Sequence, residues 1–278
     1  MDSSQVMDLA LRMAGLDRVP ADSGIWVPGK RIRRVLFSLD TGPSEIILAK
    51  QSGYDLLIGH HPVGPARLTF SKVVRRHIDF MLEKGVPRRE AEEAVRELTT
   101  RIEVRAHASN YLHDVEFARK VKMPYMNIHL PIDQITREFL LTAIGRSRAK
   151  TVGGLIEDLG RIPEFKKAKT KIALRMGHPA DPLGKWVLLF AAGTNGGYPV
   201  AKAYYKHGMD TVIYLHIDPE ELQKLRRESL GNLIILGHTA GDSIGINIFL
   251  NELRKRGIVC DTIGVIHRSR ESAKKISR

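Results

Sequence analysis

The sequence predicts an α/β protein made of two similar halves around largely parallel or mixed sheets, with a helical insertion in the middle. Three observations carry this expectation. Four short apolar runs after Trp186 alternate with helix-length segments, the beginning of the chain repeats that alternation, and the stretch between them reads as consecutive helices.

Taken in order, Ser4–Ala14 places Val6, Leu9, Ala10 and Met13 on one helical face. Arg33–Leu39 reads as a strand, Pro43–Ser52 as a helix and Asp55–Gly59 as a strand. Ser71–Leu82, Arg88–Arg101 and Asn110–Lys120 read as helices, the second with Pro87 at its first turn. Met123–His129 returns to strand. Beyond it, Trp186–Ala192, Thr211–His216, Leu233–Leu236 and Ile258–Ile263 are apolar runs of the length of buried strands. Between them lie the helical segments Tyr198–His207, Glu220–Glu228 and Ile244–Arg256. The expected organisation is an N-terminal α/β part over 1–145 with its insertion at about 71–122, a linker over 146–171, and a C-terminal α/β part over 172–278. Both parts are expected to contribute to one site.

The 278 residues suffice for a sizeable core, and 43% apolar with 27% charged residues is an ordinary globular profile. A single cysteine, Cys260, excludes an intrachain disulfide and a thiolate metal cage, and most simply belongs to the core. No apolar run approaches the roughly 18–20 residues that cross a bilayer. The opening carries Asp2 and Asp8 without a basic stretch, so no signal peptide is expected and the cytoplasm is the expected location. A net charge of +13 favours anionic partners. The basic residues are scattered, however, and no zinc-finger spacing or RNA-binding aromatic motif is present, which argues against nucleic acid.

Ligands of open α/β sheets gather beyond the carboxyl ends of the strands. Three such ends carry metal-ligating side chains. Gly59-His60-His61-Pro62 offers two adjacent imidazoles that point apart and so suit two metals sharing a site. Two hydrogen-bonded loop histidines are the competing reading. Asp133 follows His129 by four residues and, taken singly, reads first as a helix N-cap. His238 and Asp242 follow the third late run, where Asp242 or Ser243 also reads as a cap. Together the three ends offer three imidazoles and two carboxylates, a set that favours Zn, Mn, Fe, Co or Ni over Mg or Ca. Two such ions could hold a bridging water of pKa near ~7, which implies hydrolysis. His129 reads as a supporting or structural residue, and His216 as a spare ligand or proton shuttle. Gly193–Gly197 lacks a P-loop ending and reads as a tight turn.

The order Ser38-Leu39-Asp40-Thr41, Gly59-His60-His61-Pro62, His129-x-x-x-Asp133 and Gly237-His238-x-x-x-Asp242 resembles the Nif-three-like family. These are dinuclear metal-centre proteins also labelled type 2 GTP cyclohydrolase I. The resemblance covers most of the chain outside Ser71–Lys122. It implies two divalent ions per chain held by His60, His61, Asp133, His238 and Asp242, with the last acid bridging both. It further implies a GTP cyclohydrolase-like hydrolase of a small-molecule substrate, anionic and nucleotide-like, with the bridging hydroxide as nucleophile. A homo-oligomer, a hexameric ring, is implied as well. A non-enzymatic metal-binding, regulatory or metallochaperone protein is the alternative. Three departures stand out. Asp242 replaces the family's Glu, His129-Leu130-Pro131-Ile132-Asp133 keeps only the ends of its motif, and Tyr214-Leu215-His216 stands where a Thr-Gly-acid segment is expected.

Overall fold

The computed structural model describes residues 1–268. The chain runs α1 (Ser3–Ala14), β1 (Gly24–Val27), β2 (Arg34–Ser38), α2 (Pro43–Gln51) and β3 (Leu56–Gly59). Four helices follow: α3 (Ala66–Val74), α4 (Arg76–Glu83), α5 (Arg88–His107) and α6 (His113–Lys120). Next come β4 (Tyr125–Asn127), α7 (Leu130–Arg146), α8 (Val152–Gly160), α9 (Pro163–Lys167) and β5 (Ala173–Met176). The remainder is β6 (Trp186–Leu189), α10 (Gly197–Lys206), β7 (Thr211–Tyr214), α11 (Pro219–Glu228), β8 (Asn232–Ile235), α12 (His238–Lys255) and β9 (Val259–Ile263).

Two sheets result, and they share a plan. In the first, ordered β1-β4-β3-β2-β9, strands β4, β3, β2 and β9 are parallel and β1 is antiparallel at the edge. In the second, ordered β5-β8-β7-β6, strands β8, β7 and β6 are parallel and β5 is the antiparallel edge. The expected mixed α/β architecture is therefore present, with two mostly parallel sheets of similar plan.

The chain forms two compact units. One contains residues 1–73, 101–135 and 245–265; the other contains 74–100, 136–244 and the segment beginning at Ile266. The units interleave along the chain where the sequence suggested continuous halves, because β9, last in sequence, pairs with β2 of the first sheet. The stretch expected as a linker over 146–171 carries two helices, α8 and α9. Thr151 caps α8 by accepting from the Gly154 amide, and Val152, Leu155, Leu159 and Phe165 are buried.

Burial on both faces explains why the strands read as continuous apolar runs. In the first unit, Val35, Phe37, Leu56, Ile58 and Met126 pack with α1 and with Ile246, Phe249, Leu250 and Leu253 of α12. The opposite face sets Leu36, Leu57 and Tyr125 against Ile46 and Ala49 of α2 and Val115 and Ala118 of α6. Each of the Val, Leu, Ile, Phe and Met side chains among them contributes ~1.5–3 kcal/mol by burial. In the second unit, buried Val187, Val212, Ile213 and Ile234 fill the sheet, and the Tyr214 hydroxyl donates to the Gly197 carbonyl at 2.9 Å. β6 stops at Leu189, short of the apolar run, because the backbone turns left-handed at Ala191 (φ 62°) and Gly193 (φ 80°).

Candidate metal centre

The first unit gathers its ligand-type side chains where β3 and β4 end. β3 is Leu56-Leu57-Ile58-Gly59, wholly buried, and it delivers His60 and His61 side by side. Gly59 is required there, since a Cβ would lie 2.8 Å from Thr41 Oγ1, itself 2.5 Å from the Tyr125 hydroxyl. β4 leads through Ile128 to His129, and α7 begins at once, so Asp133 falls in its first turn. The four-residue spacing puts His129 and Asp133 on one helical face.

Asp133 joins the two strand ends. Its Oδ1 lies 3.3 Å from His60 Nε2 and its Oδ2 lies 3.7 Å from His129 Nε2. One donor atom from each of His60, His129 and Asp133 lies within 4.8 Å of the others, and all three residues are buried. The ring centroids of His60 and His61 are 5.1 Å apart, and those of His61 and His129 are 6.0 Å apart.

The other ring nitrogens of these histidines decide what the site can do. His60 Nδ1 is 3.2 Å from the Ile128 carbonyl, which can only accept. His61 Nδ1 is 2.7 Å from an Asp40 carboxylate oxygen, and His129 Nδ1 is 2.7 Å from Asp22 Oδ2. In each neutral ring, therefore, the proton sits on Nδ1 and the lone pair on Nε2. That is how a ligating histidine is prepared from behind. Asp22 is itself held inside the protein, accepting from the Ser23 hydroxyl at 3.2 Å, while Ser23 Oγ accepts from the His129 amide at 2.9 Å.

The second unit repeats the His-x-x-x-Asp string. His238 is the first residue of α12 and is exposed, whereas Asp242, one turn on, is buried. His238 Nε2 lies 3.2 Å from Asp242 Oδ2. His216, two residues beyond β7, stacks beside His238 with ring centroids 4.6 Å apart. Its Nδ1 faces the side-chain amide of Asn195 at 3.1 Å.

Of the residues singled out in the sequence, His60, His61 and Asp133 converge in the first unit, and His238 and Asp242 pair in the second. Asp133, Asp242 and Ser243 are not N-caps: all three lie within their helices, and Ser243 Oγ donates back to the Thr239 carbonyl. His129 stands within a group that could hold a metal ion, and not merely behind it. Asp22 and Asp40 escaped the sequence reading. Asp40 sits in the Ser38–Thr41 segment, but only the fold brings Asp22 to a histidine 107 residues away. Imidazole nitrogens and carboxylate oxygens at these separations fit a borderline divalent ion.

No protein-family model matches the chain, and no curated protein matches it. Among solved structures, a NIF3 superfamily protein from Sphaerobacter thermophilus is 41% identical, with a TM-score of 0.92 over 96% of this chain and 99% of that one. Reduced HcgD from Methanocaldococcus jannaschii shares the fold at 12% identity, with a TM-score of 0.62 over 94% of this chain and 97% of that one. Protein ybgI, described as of unknown function, does so at 13% identity, with a TM-score of 0.54 over 96% and 99%.

Proposed function

Because the chain belongs to the NIF3 superfamily and prepares a His/Asp group as ligands, we propose that it binds two divalent metal ions and hydrolyses a small anionic, nucleotide-like molecule. The observation that carries this reading is the convergence of His60, His129 and Asp133, with the rear nitrogens of His60, His61 and His129 all tied to oxygen. The proposed ligands are His60, His61, Asp133, His238 and Asp242, joined by His129. When bound, the ions would supply Lewis acidity and a water of pKa near ~7.

The protein's own groups have distinct tasks in this reading. Asp22 and Asp40 hold the rings of His129 and His61 and keep their Nε2 lone pairs directed forward. Burial of Asp133 and His60 keeps water from competing for them. Asp242 takes the place of a longer acid, so its carboxylate reaches one methylene less from α12. The protein is proposed to act in the cytoplasm as a hexameric homo-oligomer, which light scattering would check.

The test is elemental analysis of protein purified without chelator or histidine tag, beside a His60→Ala/His61→Ala variant. Two ions per chain, lost in the variant, are expected, together with metal-dependent turnover on a panel of GTP and simple phosphoesters. Protein that refuses Zn, Mn, Fe and Co on titration overturns the reading. Metal retention without turnover across the panel would leave a metal-binding protein and remove the hydrolase.

A further inference from the structure

His216 differs from its neighbours in the direction its imidazole is held. His60, His61 and His129 each place Nδ1 against an oxygen acceptor. His216 places Nδ1 3.1 Å from Asn195 Nδ2. The orientation of that amide is fixed by a second contact, because the Gly197 backbone N–H donates to Asn195 Oδ1 at 2.9 Å. Reversing the amide would set two donors face to face, so Asn195 donates to His216 and His216 Nδ1 accepts. The loop carrying Asn195 is pinned further by His77, whose Nε2–H donates to the Thr194 carbonyl at 2.9 Å. Neutral His216 thus carries its proton on Nε2, the reverse of a ring prepared to ligate through Nε2. It is partly exposed and lies beside His238.

We propose that His216 is a substrate-binding hydrogen-bond donor, not a metal ligand, which receives an anionic oxygen of the substrate through Nε2–H, and that Asn195 is the positioning residue that sets this tautomer. The inference rests on the metal-centre reading for its location, since His238 is one of the proposed ligands. The tautomer itself does not depend on metal.

The first experiment is a long-range proton–nitrogen correlation on nitrogen-labelled, metal-free protein at a pH above the imidazole range. Neutral His216 is expected as the Nε2–H form, and Asn195→Asp is expected to move the proton to Nδ1. An Nδ1–H ring in the native protein overturns the proposal whatever the metal content. The second is calorimetric titration with inorganic phosphate at constant ionic strength, with and without metal. His216→Ala should weaken phosphate binding by about tenfold while metal per chain is unchanged, and His216→Gln, which keeps a terminal N–H donor, should recover part of it. Native-like phosphate affinity in His216→Ala, or metal lost with the ring, refutes the donor role. Absence of metal from the native protein would count against the metal centre alone, and the metal-free titration would still decide the role of His216.

Discussion

His77 should make the protein lose stability in mild acid, by an amount the structure sets. The ring lies on α4 and is fully buried, with Nε2 donating to the Thr194 carbonyl. Nδ1 has no hydrogen-bond partner among the described residues. Protonating it would create a buried cation with an unanswered donor. Burial accordingly lowers its pKa to about 4, against the opposing pull of the Thr194 bond. The unfolded chain takes up its proton near ~6.5. Between those two values the unfolded state binds more protons than the folded one, so stability rises with pH there. The contribution is complete above ~6.5, is lost as pH falls towards about 4, and is level below that. The whole window is worth about 3 kcal/mol. Urea unfolding in the presence of chelator, at a series of pH values, would measure it for the native protein and for His77→Gln, which keeps a donor for Thr194 and does not titrate. The native protein should lose about 3 kcal/mol relative to the variant across the window. Parallel stability curves, or a His77 ring that titrates near ~6.5 by NMR, would refute the reasoning.

Four further outcomes follow from the same structure. Asp22→Asn removes the charged acceptor behind His129 and should weaken metal binding by ~10–100-fold in chelator competition; unchanged affinity would show that His129 is not held to the metal. Gly177→Ala places a Cβ 1.8 Å from Asn232 Oδ1 at φ 87°, so a lowered Tm is expected, with at least ~1–2 kcal/mol lost to the left-handed backbone alone. Phe249→Ala empties the core beside Phe37, whose ring centroid is 6.4 Å away, and should cost ~3–5 kcal/mol in denaturant unfolding. Cys260 is buried and its thiol is pushed up to about 11 by burial, so iodoacetamide should label it in urea and spare it in the folded protein at neutral pH.

The interior parallel strands were legible because both of their faces are buried, which writes them as unbroken apolar runs. β1 and β5 were not. Gly24–Val27 is only partly buried, and Ala173–Met176 includes an exposed Arg175, so neither carries a continuous apolar signal. Each is an antiparallel edge whose register is set by its partner and broken by an irregularity. The adjacent Val152-Gly153-Gly154 and the many charges around them made the region around α8 read as a linker, although Val152, Leu155 and Leu159 have helical spacing. The ligand-type residues were visible as strand-end strings. Asp22 was invisible because a carboxylate far away in sequence becomes a partner of His129 only when β1 pairs with β4.

The two His-x-x-x-Asp strings show why this fold tolerates buried carboxylates at its strand ends. Asp133 lies in the first turn of α7, where the positive end of the helix dipole favours negative charge by ~0.3–1 kcal/mol, and more when partly buried; Asp242 lies one turn into α12. Each acid faces the histidine one turn before it, so folding alone brings a carboxylate and an imidazole together. His216 breaks the pattern from the side. It stands where the family resemblance leads one to expect an acid, and Asn195 gives it a donor's orientation. Replacing an acceptor by a donor changes what the neighbouring substrate atom must be. A hydroxyl or amine donor would suit an acid, whereas an Nε2–H calls for an acceptor, and an anionic oxygen answers it best. The net charge of +13 favours the same class of ligand at longer range. A substrate that binds through a cationic group at this position would therefore contradict both.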